Sequence, residues 1–224
     1  MASRTDRGVS ARANALGLRS GFSGPTLLRT LNGVAPDLRF TAASPIPQEF
    51  RVRRAVRRTY RYFDGGGRQD FELRTDAAAL FVGAVDVRSF GRSVPAGSPL
   101  RRPVESVSVA RVAGGSVVEV RARSFVWGMV RKIVAALREV EAGRLSIARL
   151  RGALDGTVRL SLPLAEPEPL VLWDVEYPFP WTISWRGPNR AQSEAVGREA
   201  SRLWSRGQVL DALGGPAPPA PGRG

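Results

Sequence analysis

A valine-rich hairpin followed at once by an amphipathic helix limits the possible folds more than any other part of this sequence. Two alternating runs, 104–112 and 117–123, flank Gly114-Gly115, a pair typical of a tight hairpin turn. Ser124 then stands where a helix cap is expected, and we predict that the longest helix runs from 125 to 142. Its apolar residues recur at helical spacing and form one stripe: Phe125, Val126, Met129, Val130, Ile133, Val134, Leu137 and Val140. A stripe this wide indicates that the helix packs on a sheet.

Helix and strand signals also alternate along the rest of the chain. The remaining predicted elements are strands over 9–19, 38–43, 51–63 and 171–177, and helices over 23–33, 75–85, 146–155 and 189–213. Three groups are predicted to share a face: Val56, Arg58, Tyr60 and Tyr62; Ala79, Leu80 and Val82, pointing inward; and Val171, Trp173, Val175 and Tyr177. This order of elements predicts an α+β fold, with a mixed or antiparallel sheet and helices packed on one side.

The chain carries a large positive charge. It has 34 basic and 20 acidic side chains, a net charge of +14, and Lys132 is the only lysine. A GC-rich genome would explain the preference for arginine over lysine, but not the excess of bases over acids. We therefore expect a polyanionic partner, with nucleic acid ahead of a membrane. No apolar run approaches the roughly 20 residues that cross a bilayer, and the start is polar, so a cytoplasmic protein without a membrane anchor is expected.

Two absent residue types restrict the chemistry. The sequence has no cysteine, which excludes disulfides, thiolate catalysis and sulfur-bound zinc. It also has no histidine, which excludes Ser-His-Asp triads, zinc deaminase sites and histidine general bases. Any catalysis must therefore use Asp, Glu, Tyr, Ser, Thr, Lys or Arg side chains.

Asp6 is the first candidate for such chemistry. It lies between Arg4 and Arg7 and precedes Gly8, a pattern that is common in ordinary solvated turns. The functional alternative is a carboxylate that nearby arginines keep ionised and available as a nucleophile.

Tyr60 and Arg131 are the other candidates. Tyr60, among arginines on its strand, is either a packing residue between strands or a ring that stacks on a base taken out of its helix. Arg131 lies beside the apolar stripe, so it either lays its stem along the edge of the core or pairs with a buried carboxylate. Spacing alone leaves Lys132 as a rival for that pairing.

Five segments in one order resemble a known family. Residues 2–11 (ASRTDRGVSA) resemble the active-site loop of the TruA-type tRNA pseudouridine synthases, and four later segments match the same family: Leu31-Asn32 with Pro36-Asp37, 58–62 (RTYRY), 124–133 (SFVWGMVRKI) and 172–178 (LWDVEYP). The first segment and 124–133 are the most specific. The resemblance covers 2 to about 180.

The resemblance implies a pseudouridine synthase fold and a reaction. Asp6 matches the aspartate that attacks the target nucleoside, after which the uracil detaches, rotates and is rejoined through carbon. Tyr60 matches the tyrosine that packs against the uracil and assists late proton removal. Arg131 matches the arginine that pairs with the aspartate, and Arg4 matches one that helps to hold the flipped nucleotide. The implied substrate is a uridine of the tRNA anticodon stem-loop, with no metal or cofactor, and the implied assembly is a homodimer.

The chain departs from the family pattern at its start. Family members carry a strand with a Tyr-Asp-Gly signature, a helix and a second strand before the aspartate loop, whereas this sequence begins inside that motif. We therefore expect an N-terminally truncated member that lacks this first strand-helix-strand and is poorly active or inactive by itself. The expected parts are a remnant of the N-terminal lobe, a C-terminal catalytic and RNA-binding lobe, a helical extension and a disordered tail, over 1–48, 49–180, 181–213 and 214–224.

Two other functions remain open at this point. One is a basic protein that binds tRNA or other RNA without catalysis, such as a degenerate synthase. A weaker one, supported only by the charge, is a ribosome-associated protein. Loss of Asp6 distinguishes the first from an enzyme, because it should abolish isomerisation and spare RNA binding.

Overall fold

The computed structural model describes residues 1–35, 38–65, 70–92, 94, 97, 99–185 and 190–214. Its elements in chain order are β1 (Ser10–Ala11), α1 (Gly24–Val34), β2 (Ala42–Ala43), β3 (Arg57–Gly65), α2 (Phe71–Ala79), β4 (Gly83–Asp86), β5 (Arg101–Val112), β6 (Gly115–Ala122), α3 (Met129–Glu141), α4 (Ile147–Asp155), β7 (Leu170–Glu176), β8 (Ile183–Ser184) and α5 (Arg190–Gly214). Two compact units result. The first contains Met1–Leu18 and Glu49–Phe179, and the second contains Arg19–Gln48 and the chain from Pro180 onward.

The first unit is built on a six-stranded sheet in the order β1-β7-β3-β6-β5-β4. Every neighbouring pair is antiparallel except β1 and β7, which run parallel. The predicted hairpin is confirmed as β5 and β6, which turn at Gly114 with a positive φ of 80°. The expected α+β fold with a mixed, mostly antiparallel sheet is therefore confirmed.

One face of this sheet is buried under α2, α3 and α4. Alternate residues of β3 and β6 enter the core, among them Tyr62, Val118 and Val120, each fully buried. The predicted apolar stripe supplies the other side, since the α3 residues on it are buried: Met129, Val130, Ile133, Val134, Leu137 and Val140. Burial of each such side chain stabilises the fold by roughly 1.5–3 kcal/mol. The apolar layer between α3 and the sheet therefore explains why the helices pack on one side of the sheet.

The start of α3 differs from the prediction. Ser124 does not cap this helix, which begins at Met129 after Gly128, a residue in the left-handed conformation with φ 76°. A Cβ on Gly128 would lie 2.8 Å from the Leu164 side chain, so the chain bends there at a residue without one. The predicted start at 125 is wrong. Residues 125 and 126 are apolar and fit the helical spacing, but they lie in an irregular segment before Gly128. Nor is α3 the longest helix, since α5 has 25 residues against 13.

The prediction for α2 is wrong in its bounds and in most of its inward face, since only Leu80 of the three predicted residues packs against the core. The Asp70 side chain accepts a hydrogen bond from the Leu73 amide and caps the helix at its start, several residues before the predicted start. The helix ends at Ala79, which is exposed, and Val82 lies beyond it with 52% exposure. The core is filled by other residues of this region instead: Arg74, Ala77, Ala78 and Phe81.

The face predicted for 171–177 is also wrong. Thr59 of β3 pairs with Asp174, but the next residue, Tyr60, pairs with Leu172, so Trp173 is an extra residue in a β-bulge. The bulge reverses the alternation, and the buried residues of β7 are Leu170, Leu172 and Val175. The order of residues alone does not reveal a bulge, because it depends on the register with the neighbouring strand.

Several shorter corrections follow from the bounds. The strands predicted over 9–19 and 38–43 contain only the two-residue β1 and β2, and the one predicted from 51 begins at Arg57. Its face is confirmed for Arg58, Tyr60 and Tyr62, whereas Val56 is exposed. The helices predicted over 23–33, 146–155 and 189–213 are confirmed as α1, α4 and α5.

The second unit pairs β2 with β8 in an antiparallel ladder. The expected division into lobes stays a prediction, and most of the expected tail, 215–224, lies outside the described residues. In the part of the chain that the structure describes, no helix is both long enough and apolar enough to span a membrane.

A cluster of opposite charges joins β3 to α2 and α3. Arg74 on α2 is almost fully buried, with 1% of its side chain exposed, and it pairs with Asp64 of β3 and with Glu141 of α3. Arg138 of α3 donates hydrogen bonds to Asp64 at 2.7 Å and to Glu166 at 2.8 Å. Because Asp64 receives both guanidinium groups, its loss removes the carboxylate that the two arginines share and leaves buried Arg74 with Glu141 alone.

Ion pairs and burial shift the pKa values of three carboxyl groups in this cluster: Asp64, Glu166 and Glu141. Burial alone would raise the pKa of Asp64, but the hydrogen bonds from Arg138 and Arg74 outweigh it and lower the pKa below its ordinary value. The hydrogen bond from Arg138 lowers the pKa of Glu166 to about 2. Burial raises the pKa of Glu141, so that carboxyl acts in the opposite direction.

We expect the protein to lose stability in acid. Carboxyls with lowered folded pKa values stabilise the fold above their unfolded pKa of about 4 and lose that contribution as the pH falls towards about 2. The free energy of unfolding, measured by urea denaturation, should therefore decrease over that pH interval. Asp64→Asn should cost about 3–5 kcal/mol at neutral pH and show a smaller decrease in acid. An equal acid decrease in both proteins would contradict this role of Asp64.

Candidate active site

Asp6 lies in a tight turn just before the edge strand of the first unit. The Val9 amide donates to the Asp6 carbonyl at 3.0 Å, which closes the turn over Arg7 and Gly8. Gly8 has a φ of 90°, a conformation that side chains rarely adopt. The chain then pairs with β7 in parallel, and this pairing fixes the turn at the sheet edge.

The Asp6 carboxylate has two partners from distant sequence. Its Oδ2 lies 2.8 Å from an Nη atom of Arg131, and its Oδ1 accepts a hydrogen bond of 2.6 Å from the Trp127 indole N–H. Both side chains of the ion pair are largely buried, with 24% of Asp6 and 12% of Arg131 exposed. Arg4 and Arg7, the arginines that flank Asp6 in sequence, are exposed instead.

Arg131 is the residue that reaches the carboxylate, and Lys132 is not. Arg131 lies near the start of α3, and its Nε also donates to the Ala165 carbonyl at 2.6 Å, so the guanidinium is held from two sides. The Lys132 ammonium lies 3.4 Å from the Ser89 carbonyl, and burial lowers the pKa of Lys132. The choice that spacing left open is therefore decided by the direction in which each side chain leaves the helix.

Tyr60 is buried beside this ion pair, with 7% exposure. Its hydroxyl shares a hydrogen bond of 2.9 Å with Ser3, and the Phe125 ring meets it edge-on at 5.0 Å between centroids. Burial raises the pKa of Tyr60, and the negative charge of Asp6 adds to the shift, so the phenol is protonated at neutral pH.

The sequence patterns did not identify Trp127, Phe125 or Ser3 as residues of the site. All three lie inside the segments that resemble the family, but the predicted helix over 125–142 concealed that 125 and 127 approach the site from an irregular segment. Trp127 is 49% exposed, and the Arg92 guanidinium lies over its ring at 4.4 Å from the centroid. Among the described residues, no group of three or more Asp or Glu side chains is placed to hold a metal ion.

Comparison with known proteins identifies the family. A family model described as tRNA pseudouridine synthase matches residues 77–178. The tRNA pseudouridine synthase A of Thermococcus kodakarensis is 36% identical over 217 residues, which cover 96% of this chain and 79% of that protein. The chain belongs to the tRNA pseudouridine synthase family. The proteins of the same name from Thermococcus gammatolerans and Methanosphaerula palustris are 33% and 35% identical over 219 and 212 residues, covering 79% and 73% of their lengths.

Membership makes this protein an isomerase of the pseudouridine synthase class, and the resemblance drawn from the five sequence segments is confirmed. The Asp6 carboxylate is partly buried beside the Arg131 guanidinium and the protonated phenol of Tyr60, an arrangement suited to nucleophilic chemistry.

In this synthase, Asp6 and Arg131 should be energetically coupled. Asp6→Ala and Arg131→Met each leave a largely buried charge without its partner, so the double variant should be more stable than the sum of the single effects predicts. We expect a coupling of about 1–3 kcal/mol from a double-mutant cycle measured by urea denaturation. Exposed Arg4 provides the control, since Asp6→Ala with Arg4→Met should show no coupling beyond about 0.5 kcal/mol. Similar coupling in both cycles would contradict a specific pair.

Proposed function

We propose that this protein converts uridine to pseudouridine in the anticodon stem-loop of tRNA, with Asp6 as the nucleophile. The observation that carries the proposal is the carboxylate of Asp6, held by Arg131 and Trp127 next to buried Tyr60. Relatives named tRNA pseudouridine synthase A support tRNA as the substrate. The net charge of +14 supports a polyanionic partner.

The reaction needs only groups that the chain contains. A carboxylate oxygen of Asp6 forms a bond to ribose C1′ as the bond from C1′ to uracil N1 breaks, and the base rotates within the site. A bond then forms from C1′ to C5 as the bond from C1′ to the Asp6 oxygen breaks, the proton on C5 is lost, N1 gains a proton, and the carboxylate is restored. Product and substrate are isomers, so neither an oxidant nor a co-substrate is consumed, and we propose no metal or cofactor.

The contacts of Asp6 leave it able to react. Each carboxylate oxygen has two lone pairs, so one hydrogen bond to each oxygen does not exhaust its capacity as a nucleophile. Arg131 binds the carboxylate at 2.8 Å and orients it. The target base reaches such a recessed group only after it leaves the helical stack, and we assign to exposed Arg4 the holding of that nucleotide through its phosphate.

Tyr60 acts, in this proposal, through its ring and its protonated hydroxyl. Its ring packs against the uracil, and its hydroxyl assists the late proton removal together with Ser3, its hydrogen-bond partner at 2.9 Å. A cytoplasmic location and a homodimer complete the proposal, because tRNA modification and the family resemblance favour both.

Asp6→Asn should abolish isomerisation and leave tRNA binding intact. The amide cannot serve as the nucleophile, so we expect a rate loss on the order of 10⁴-fold, whereas the phosphate contacts are unchanged. The measurement is release of tritium from tRNA labelled at uracil C5, with protein in excess over tRNA so that slow turnover is still detected. Binding is measured by filter retention of the same tRNA.

An exposed carboxylate on α2 provides the control for this experiment. Asp76→Asn should retain both the wild-type rate and the wild-type affinity, since Asp76 is exposed and not part of the site. A wild-type protein that binds tRNA but releases no tritium would overturn the enzymatic proposal and favour a protein that only binds RNA. Equal rates for wild type and Asp6→Asn would overturn the role of Asp6.

Tyr60→Phe should separate the ring from the hydroxyl. The phenylalanine ring retains the packing against Phe125 but cannot pass a proton, so we expect the single-turnover rate to fall about 100-fold with little change in tRNA affinity. Tyr60→Leu, which also removes the ring, should weaken binding of the flipped base as well. A rate for Tyr60→Phe within about twofold of wild type would contradict a part for the hydroxyl in the proton transfer.

A further inference from the structure

Arg58 of β3 is a buried cation that binds only main-chain oxygens in the described part of the protein. It is 7% exposed, and its guanidinium donates to the carbonyls of Ala2 at 3.0 Å, of Arg53 at 2.8 Å and of Arg123. No carboxylate of the described residues pairs with it. Burying a charge is costly, and an apolar side chain at this position would leave the three carbonyls without this donor. The contacts of Arg58 with the main chain, rather than packing alone, therefore explain an arginine here.

The three carbonyls belong to three separate chain segments, and two of these segments deliver the active site. Ala2 precedes Ser3, which binds the Tyr60 hydroxyl, and the same segment continues into the Asp6 turn. Arg123 follows β6 and precedes the irregular segment 124–128, which carries Phe125 and Trp127. One side chain therefore binds both segments whose side chains meet at the Asp6 carboxylate.

Few other contacts hold the first of these segments. The Ala2 amide donates to the Ala15 carbonyl at 2.7 Å, and Ser3 exchanges hydrogen bonds with Asn14. These bonds join the segment to its own continuation, 14–15, whereas Arg58, at Ala2, and the Tyr60 hydroxyl, at Ser3, join it to the central strand β3. Arg58 thus attaches the main chain of the segment to β3, two residues from Tyr60 on the same face, beside the side-chain bond of Ser3.

We propose that Arg58 is a positioning residue of the active site, which holds the Asp6 turn and the Trp127 segment in fixed geometry relative to Tyr60. It touches neither the carboxylate nor the substrate, and it acts through the two main-chain oxygens at Ala2 and Arg123. The guanidinium is suited to this, because its planar fork presents several donors in fixed directions, whereas a lysine ammonium presents a compact point charge. This inference rests on the proposed function for its kinetic consequence but not for its structural one.

Arg58→Lys is the decisive variant, since it retains the positive charge and most of the side-chain volume. We expect its tRNA affinity to remain within about threefold of wild type and its single-turnover rate to fall about 100-fold, the scale of loss that a misplacement of about 1 Å produces. Arg58→Met should show at least the same loss. If Arg58→Met does not fold, the lysine variant still decides the question.

Two matched arginines separate positioning from general stability. Arg57 is the neighbour of Arg58 on the opposite face of β3, where it pairs with Glu105 and Glu176, so Arg57→Met should retain the wild-type rate. Arg74 is buried in the charge cluster around Asp64. Arg74→Met should lower the thermal midpoint, yet retain the rate at temperatures where it is folded. An Arg58→Lys rate equal to wild type, or a loss no larger than that of Arg74→Met at equal folded fraction, would overturn the proposal.

Amide hydrogen exchange tests, without reference to activity, whether Arg58 holds the Asp6 turn and the Trp127 segment in place. In Arg58→Lys, exchange over 2–8 and 124–128 should be faster than in wild type by about tenfold or more, while exchange in α4 stays unchanged. Arg57→Met should leave all three regions as in wild type. If the wild-type protein fails to isomerise uridine, the proposed function fails, and hydrogen exchange alone decides whether Arg58 holds the two segments. Unchanged exchange in both segments of Arg58→Lys would overturn the proposal whatever the rates.

Discussion

The buried face of β3 is the constraint on which the rest of the first unit depends. Because side chains alternate along a strand, Arg58, Tyr60, Tyr62 and Asp64 all point to the same side of the sheet. β3 pairs with β6 on one side and β7 on the other, so hydrogen bonds on both edges determine its position. A single register thus places Arg58 at one end of this face, Tyr60 beside the candidate site, and Asp64 in the charge cluster at the other end.

The site itself is assembled at long range. Asp6 comes from a turn before the edge strand, while Arg131 and Trp127 come from the start of α3, more than 120 residues later. Because the sequence has no histidine, other side chains set the electrostatic environment of the carboxylate. The indole N–H and the guanidinium supply it, and the burial of Tyr60 keeps a neutral phenol next to them.

Prediction from sequence succeeded where periodicity and local chemistry agree. The hairpin of β5 and β6, the stripe of α3 and the helix predicted over 146–155 are local patterns that burial under one sheet face reinforces. It failed where a distant contact altered a local pattern. The bulge at Trp173 depends on the pairing of β7 with β3, and the late start of α3 depends on Gly128, which bends the chain against Leu164.

The sequence by itself determined the family, the α+β class and the residue types available for chemistry, because these depend on motif order, periodicity and the absence of histidine and cysteine. The family resemblance implied that Arg131 pairs with Asp6, whereas spacing left Lys132 as a rival. Only the tertiary structure shows the contact, because the packing of the helix decides which of its faces lies against the Asp6 turn. It also revealed Trp127 and Arg58, whose contacts are with groups far along the chain. A contact of that kind has no local signature, because it is created when separate segments are brought against the same sheet.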